Sequence, residues 1–271
     1  MATTPTAGRL GQGTLGDGLP YLRAGTGDPL VYLPGITPHH HVPQGMERRA
    51  QMALLKPFLG GRQVWWINRR VGLAAGTTMA DLARDYARVL ADVFDHPVDV
   101  LGISTGGSVA LQLAADHPHL VRRLVVVAGA YRLGPGRQPQ RRAIALLREG
   151  RIHPAAAEIM ATLGTGRVSE RLFRGLGWLL APAVVGDGDP DLIITLAAED
   201  AFDLRARLGE IVAPTLVIGG EKDGCYGGDQ IARTAELIPS GRLVRYRGGH
   251  LLAGRPRRYA HHVLSFLRAP A

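Results

Sequence analysis

Val98-Asp99-Val100-Leu101-Gly102-Ile103-Ser104-Thr105-Gly106-Gly107 runs from a largely apolar stretch straight into Gly-x-Ser-x-Gly-Gly, and a helix-like segment, Ser108 to Ala115, follows. Strand, tight turn and helix in that order are the setting in which a serine is exposed as a nucleophile. A turn this sharp places Ser104 in a strained backbone conformation with Oγ pointing out of the fold. Glycines at 102, 106 and 107 remove the side chains that would meet the returning backbone. The N–H of Thr105 opens the new helix and points at any negative oxygen that forms on a carbonyl bound there.

A nucleophilic serine needs a base, and the base needs a carboxylate to orient it. Candidates follow downstream in the order serine, acid, histidine. Pro214-Thr215-Leu216-Val217-Ile218-Gly219-Gly220 reads as a buried strand, with Glu221, Lys222 and Asp223 just beyond it. Asp223 is the candidate acid, and Glu221, closer to the strand, is its rival. Arg242 to Tyr246 is the next strand, and His250 lies on the loop after it. Groups beyond the carboxyl ends of neighbouring strands converge on one crevice in an open α/β sheet.

The rest of the chain alternates as such a sheet requires. Further strands are expected at Leu30–Leu33, Val64–Ile67 and Leu124–Val127. Their near-continuous apolar character predicts a mostly parallel, doubly wound sheet covered on both faces. The clearest helix runs from Met79 to Phe94, with Met79, Leu82, Tyr86, Leu90 and Val93 on one face. Thr78 and Asp81 have capping-box spacing at its start. Met1 to Gly18, rich in Thr, Gly and Ala, reads as a frayed or loosely paired edge. From Tyr131 to Asp203 no strand pattern is found, but helical stretches are, at Arg141–Leu147, Ala155–Leu163 and Leu172–Leu180.

Taken together, these segments resemble the α/β-hydrolase superfamily, in particular its capped, esterase-like members. The resemblance extends from Leu19 to Leu267 and is carried by Leu30–Gly35, the turn at Ser104, Pro214–Asp223 and Gly248–Leu252. It implies an α/β-hydrolase core formed by 1–130 and 204–271, with 131–203 a helical cap over the site. Cap residues Trp178, Met160 and Phe173 are the expected substrate contacts, with Ile144, Leu163 and Leu179 as further apolar candidates. It also implies acyl transfer through Ser104, His250 and Asp223, with the backbone N–H groups of Ile36 and Thr105 holding the oxyanion. The family usually has His-Gly where this chain has Pro34-Gly35. A backbone donor survives that change, but a histidine that often braces the loop is gone. A serine at the turn, where related folds place aspartate, argues against epoxide hydrolysis and dehalogenation. The implied mechanism uses no metal and no organic cofactor.

Composition fits one enzyme domain. The chain has 271 residues, of which 46% are hydrophobic and 20% charged. A formal net charge of +9 invites a nucleic-acid reading. The arginines that supply it are scattered, as at Arg69-Arg70, Arg122-Arg123, Arg141-Arg142 and Arg257-Arg258, and no nucleic-acid motif accompanies them. No segment approaches the ~18 apolar residues of a membrane span. The expectation is a cytoplasmic protein acting on a small molecule, with no nucleic-acid or membrane partner. Cys225 is the single cysteine, so an intrachain disulfide is impossible; it follows Asp223 closely enough to line the same crevice. His39-His40-His41 cannot converge on one metal from regular structure and read as a solvated loop. Two function classes stand. One is a serine hydrolase for an ester, lactone or thioester, with perhydrolysis as a variant. The other keeps the fold without hydrolysis, as a lyase or cyclisation catalyst or a ligand-binding receptor.

Overall fold

The computed structural model describes residues 10–269. Eight strands form one sheet: β1 (Gly11–Leu15), β2 (Leu19–Gly25), β3 (Asp28–Leu33), β4 (Arg62–Ile67), β5 (Val98–Ile103), β6 (Val121–Val127), β7 (Thr215–Gly220) and β8 (Gly241–Tyr246). Their order is β1-β2-β4-β3-β5-β6-β7-β8. β2 is antiparallel to both of its neighbours, and the other pairs are parallel.

Successive strand residues point to opposite faces, and both faces are covered. Leu33, Val100 and Val126 enter one core with Leu82, Tyr86 and Leu90 of α2 (Met79–Val93) and Val109 of α3 (Thr105–Asp116). Tyr32, Leu101 and Val125 enter the other with Leu55 of α1 (Gly45–Leu55) and Val263 of α10 (Ala260–Arg268). That double burial is why the parallel strands read as unbroken apolar runs. The exception within β5 is Asp99, fully buried and held by Arg62 at 2.7 Å and Arg122 at 2.9 Å. The capping box at α2 is present: Thr78 Oγ1 accepts from the Asp81 N–H at 3.2 Å, and the Thr78 N–H donates to Asp81 Oδ2 at 2.9 Å.

Sequence periodicity does not reveal β1 and β2. Gly11–Leu15 forms a regular antiparallel pair with Leu19–Arg23 of β2, where a frayed or loosely paired edge was expected. Its glycines carry little strand propensity, and pairing across the Gly16–Gly18 turn supplies the order instead. The remainder of that expected edge, 1–9, lies outside the described residues.

Between β6 and β7 the chain inserts five helices: α4 (Arg137–Arg148), α5 (Ile152–Ala161), α6 (Arg167–Leu179), α7 (Ala181–Val185) and α8 (Pro190–Ala201). They have their own small core of Ile144, Leu147, Ala155, Val185, Leu192 and Leu196. The insertion is pinned to the loop between β4 and α2 by Asp191, whose carboxylate accepts from the N–H groups of Gly72 at 2.8 Å and Leu73 at 2.7 Å. α9 (Gly228–Leu237) links β7 to β8. No helix among the described residues is long and apolar enough to cross a membrane.

Candidate active site

Ser104 stands where β5 turns into α3, with φ 52° and ψ −122°. For a residue with a Cβ this is a strained conformation, costing about 1–3 kcal/mol. Surrounding contacts hold it there. The Ser104 N–H donates to the Val127 carbonyl at 2.9 Å, and its carbonyl accepts from the Gly107 N–H at 2.7 Å. Gly106 is required by space: a Cβ there would lie 2.2 Å from the Leu33 carbonyl oxygen. The Thr105 N–H, at the first position of α3, has no preceding helical turn to bond.

Ser104 Oγ lies 2.9 Å from His250 Nε2. His250 Nδ1 lies 2.8 Å from Asp223 Oδ2. Asp223 Oδ1 accepts from the N–H groups of Cys225 and Tyr226, each at 2.9 Å. The carboxylate is therefore fixed on both oxygens. Asp223 and His250 come from different loops, which are tied together by the Lys222 N–H donating to the Gly248 carbonyl at 2.8 Å. Gly220 permits that approach, since a Cβ on it would lie 2.5 Å from the same carbonyl oxygen. Glu221, the rival acid, is exposed and makes no bond to His250.

Burial works to raise the Asp223 carboxyl, but the His250 charge and the hydrogen bonds from His250, Tyr226 and Cys225 hold it below its usual range. Burial works to lower His250. The electrostatic influence of the neighbouring Cys225 and of the Asp223 carboxylate, with hydrogen bonds to both, outweighs it and holds the imidazole above its ordinary value.

The loop after β3 presses against this turn: a Cβ on Gly35 would sit 3.3 Å from Ser104 Cβ. The brace missing at Pro34 is replaced from β4's end. Arg69 is buried, and its guanidinium donates to the carbonyls of Pro34 at 3.4 Å and Gly35 at 3.0 Å, and to Thr37 Oγ1 at 3.1 Å. Its Nε donates to His40 Nε2 at 3.1 Å, while His40 Nδ1 bonds the Arg70 carbonyl at 3.1 Å. This corrects the reading of the histidine run as a solvated loop. His40 is buried, and burial together with the Arg69 charge pushes its pKa down to about 3, leaving a neutral acceptor for Arg69. Sequence reasoning missed this pair because neither residue lies in the serine, acid or histidine motifs.

Ser104, His250, Ile36 and Thr105 line a cavity of about 320 Å³. The insertion supplies much of its wall, including Ile159, Met160 and Leu163, and Cys225 borders it from the core. Of the three cap residues expected to contact substrate, Met160 lines the cavity, whereas Trp178 and Phe173 are not among the lining residues. Trp178 is 51% exposed and borders a separate surface groove with Pro154 and Arg174. The reason is the orientation of α6. Its apolar residues Val168, Leu172 and Leu179 face outward, at 83%, 70% and 76% exposure. Ile144 also stays out of the cavity, buried in the core of the insertion.

A family model described as "Alpha/beta hydrolase family" matches residues 18–262. The chain belongs to the alpha/beta hydrolase family. A pimeloyl-[acyl-carrier protein] methyl ester esterase of Neisseria meningitidis serogroup A is 32% identical over 150 residues, which are 51% of this chain and 46% of that protein. The match therefore spans about half of either molecule. Among solved structures, a hydrolase from Pseudomonas aeruginosa PA01 superposes with a TM-score of 0.71 at 26% identity, covering 97% of this chain and 100% of that one. MGS-M2, an alpha/beta hydrolase enzyme from a Medee basin deep-sea metagenome library, has a TM-score of 0.78 at 19% identity, with 93% and 96% covered. At that identity the likeness to MGS-M2 concerns the fold.

Proposed function

We propose that this alpha/beta hydrolase is a serine esterase, cleaving a carboxylic ester, lactone or thioester of a small to medium, mainly apolar molecule through an acyl-enzyme. The observation that carries the reading is the continuous hydrogen-bonded relay Ser104–His250–Asp223 at the cavity wall. His250 Nε2 takes the Oγ proton as Ser104 attacks the carbonyl carbon, and the N–H groups of Ile36 and Thr105 receive the oxyanion. Collapse breaks the ester bond, and His250 gives the proton to the departing alcohol or thiol. Water then attacks the acyl-enzyme with His250 again as base, releasing the acid and restoring Ser104. The helical insertion acts as the cap, its apolar wall excluding bulk water and selecting the chain that enters. The esterase among the relatives supports the bond type.

The test is hydrolysis of p-nitrophenyl esters from acetate to decanoate, with a fluorophosphonate as active-serine probe. A cavity near the small end of the usual ligand-pocket range, about 300–1,000 Å³, predicts an optimum at butyrate to hexanoate and a decline by decanoate. A folded protein that turns over none of the series and ignores the probe contradicts the reading.

In this mechanism Arg69 is a positioning residue, aiming the Ile36 N–H through the carbonyls of Pro34 and Gly35. Arg69→Lys keeps the charge but loses the fork. The expected result is a fall of about 10- to 100-fold in kcat with little change in KM, because small displacements of a reacting geometry cost up to about 10² in rate. Parallel thermal melts separate this from unfolding. An unchanged kcat in the folded variant rules the positioning role out.

A further inference from the structure

The insertion contributes one carboxyl group to the cavity wall, and the proposed acyl transfer leaves it unused. Glu199, on α8, is 3% exposed and lines the cavity beside Gln140, Thr105 and Tyr226. Its Oε1 accepts from the Tyr226 hydroxyl at 2.5 Å. With that proton directed at Glu199, Ser108 Oγ, 3.1 Å away, donates to Tyr226. The chain Ser108–Tyr226–Glu199 thus fixes the carboxyl from the core side. Gln140 is fixed as well, its amide donating to the Leu196 carbonyl at 2.9 Å. Arg69 acts on Glu199 through space, while its own donors are directed at Pro34, Gly35, Thr37 and His40.

The neighbouring wall is apolar, formed by Leu133, Met160, Leu163 and Leu196. A carboxyl in such surroundings is costly unless its acceptor positions are used. It has about four such positions; Tyr226 uses one of them, Thr105 and Gln140 also act on the carboxyl as hydrogen-bond donors, and the remaining capacity faces the cavity. Burial raises the carboxyl above its ordinary range, against the opposing hydrogen bonds from Tyr226, Thr105 and Gln140 and the Arg69 charge. An alkyl chain pressed against this group strips its water and returns no hydrogen bond. A hydroxyl or amide N–H returns one. Polar groups built into an apolar pocket discriminate in this way against ligands that leave them unpaired.

We infer that Glu199 is a specificity subsite of the cavity, and that the preferred substrate carries a hydroxyl or amide N–H in its acyl or alcohol part, positioned to donate to this carboxyl. The inference deepens the esterase reading and rests on it for the word substrate, but the subsite itself is a binding property and is tested without turnover.

Three non-hydrolysable amides are titrated calorimetrically into the wild type, Glu199→Leu and Glu199→Gln: N-butylhexanamide, N-butyl-6-hydroxyhexanamide and N-(4-hydroxybutyl)hexanamide. At least one hydroxylated amide is expected to bind the wild type about tenfold more tightly than the parent, the scale of one hydrogen bond to a charged or strongly polar group. That gain should vanish in Glu199→Leu and shrink in Glu199→Gln, which preserves size and guards against a packing defect in the leucine variant. All three amides within twofold of one another on the wild type, or a gain that persists in Glu199→Leu, overturns the subsite, as does undetectable binding of all three. Turnover of p-nitrophenyl esters, run alongside, reports on the esterase reading separately. A selective but inactive protein sinks that reading and spares this one.

Discussion

Ser104→Ala is expected to reduce ester turnover by a factor on the order of 10⁶ in kcat, as loss of a nucleophilic serine does where serine and histidine act as a unit. The variant should also lose all labelling by a fluorophosphonate. The size of the effect follows from the geometry. His250 Nε2 is 2.9 Å from Oγ, and deleting that oxygen leaves the base with nothing bound to deprotonate. The fold should be untouched. Alanine keeps the Cβ that the strained φ of 52° already accommodates, and the bonds holding the turn are made by backbone atoms of Val127 and Gly107. The melting temperature should therefore stay within a few degrees of wild type while the rate collapses. Residual hydrolysis at a large fraction of the wild-type rate would mean that another group attacks the ester. Cys225, on the wall of the same cavity, would be the first to substitute.

Much of this site is legible in the sequence because its logic is local. The turn at Ser104 is encoded by consecutive residues, and glycine at 106 is dictated by a backbone atom of the neighbouring β3 loop. Asp223 and His250 are legible because each follows a recognisable strand, and strands of an open sheet deliver their loops to one edge. What stays hidden depends on which way a side chain faces across elements distant in sequence. The helical pattern of α6 shows that it has an apolar face, yet the outward turn of Leu172, Leu179 and Trp178 is decided by how α5 and α6 pack together. Helical periodicity carries no record of that choice. Arg69 and His40 are hidden for a related reason. An arginine after a strand and a histidine in a run both look like solvated groups, and their burial follows from the carbonyls of Pro34, Gly35 and Arg70 that receive their protons. Glu199 is likewise unremarkable in the sequence Ala-Glu-Asp, and only the fold sets it against Tyr226.

Asp223→Asn should lower kcat by about 10⁴ with KM little changed, the scale seen when an orienting carboxylate is replaced by its amide. The present hydrogen bonds explain why. Oδ1 is held by the N–H groups of Cys225 and Tyr226, so the asparagine keeps its oxygen there and turns its NH₂ toward His250. A donor facing Nδ1 requires Nδ1 to be bare. The imidazole proton then sits on Nε2, which faces Ser104 Oγ as a donor and cannot take its proton. The same substitution should move the pH profile. His250 acts as a base only when neutral, so activity is present above its pKa and is lost as pH falls through it. In the wild type that pKa is held above 6.5, in part by the Asp223 charge, so the acid limb should lie above pH 6.5. Removing the charge lowers the pKa, so the acid limb of the residual activity should shift to lower pH. Glu221→Gln is the control, since Glu221 is exposed and should leave both rate and profile within about twofold of wild type. If Glu221→Gln collapses the rate and Asp223→Asn does not, the acid has been misassigned. If Asp223→Asn lowers the rate but leaves the acid limb in place, Asp223 supports the loop without setting the charge state of His250.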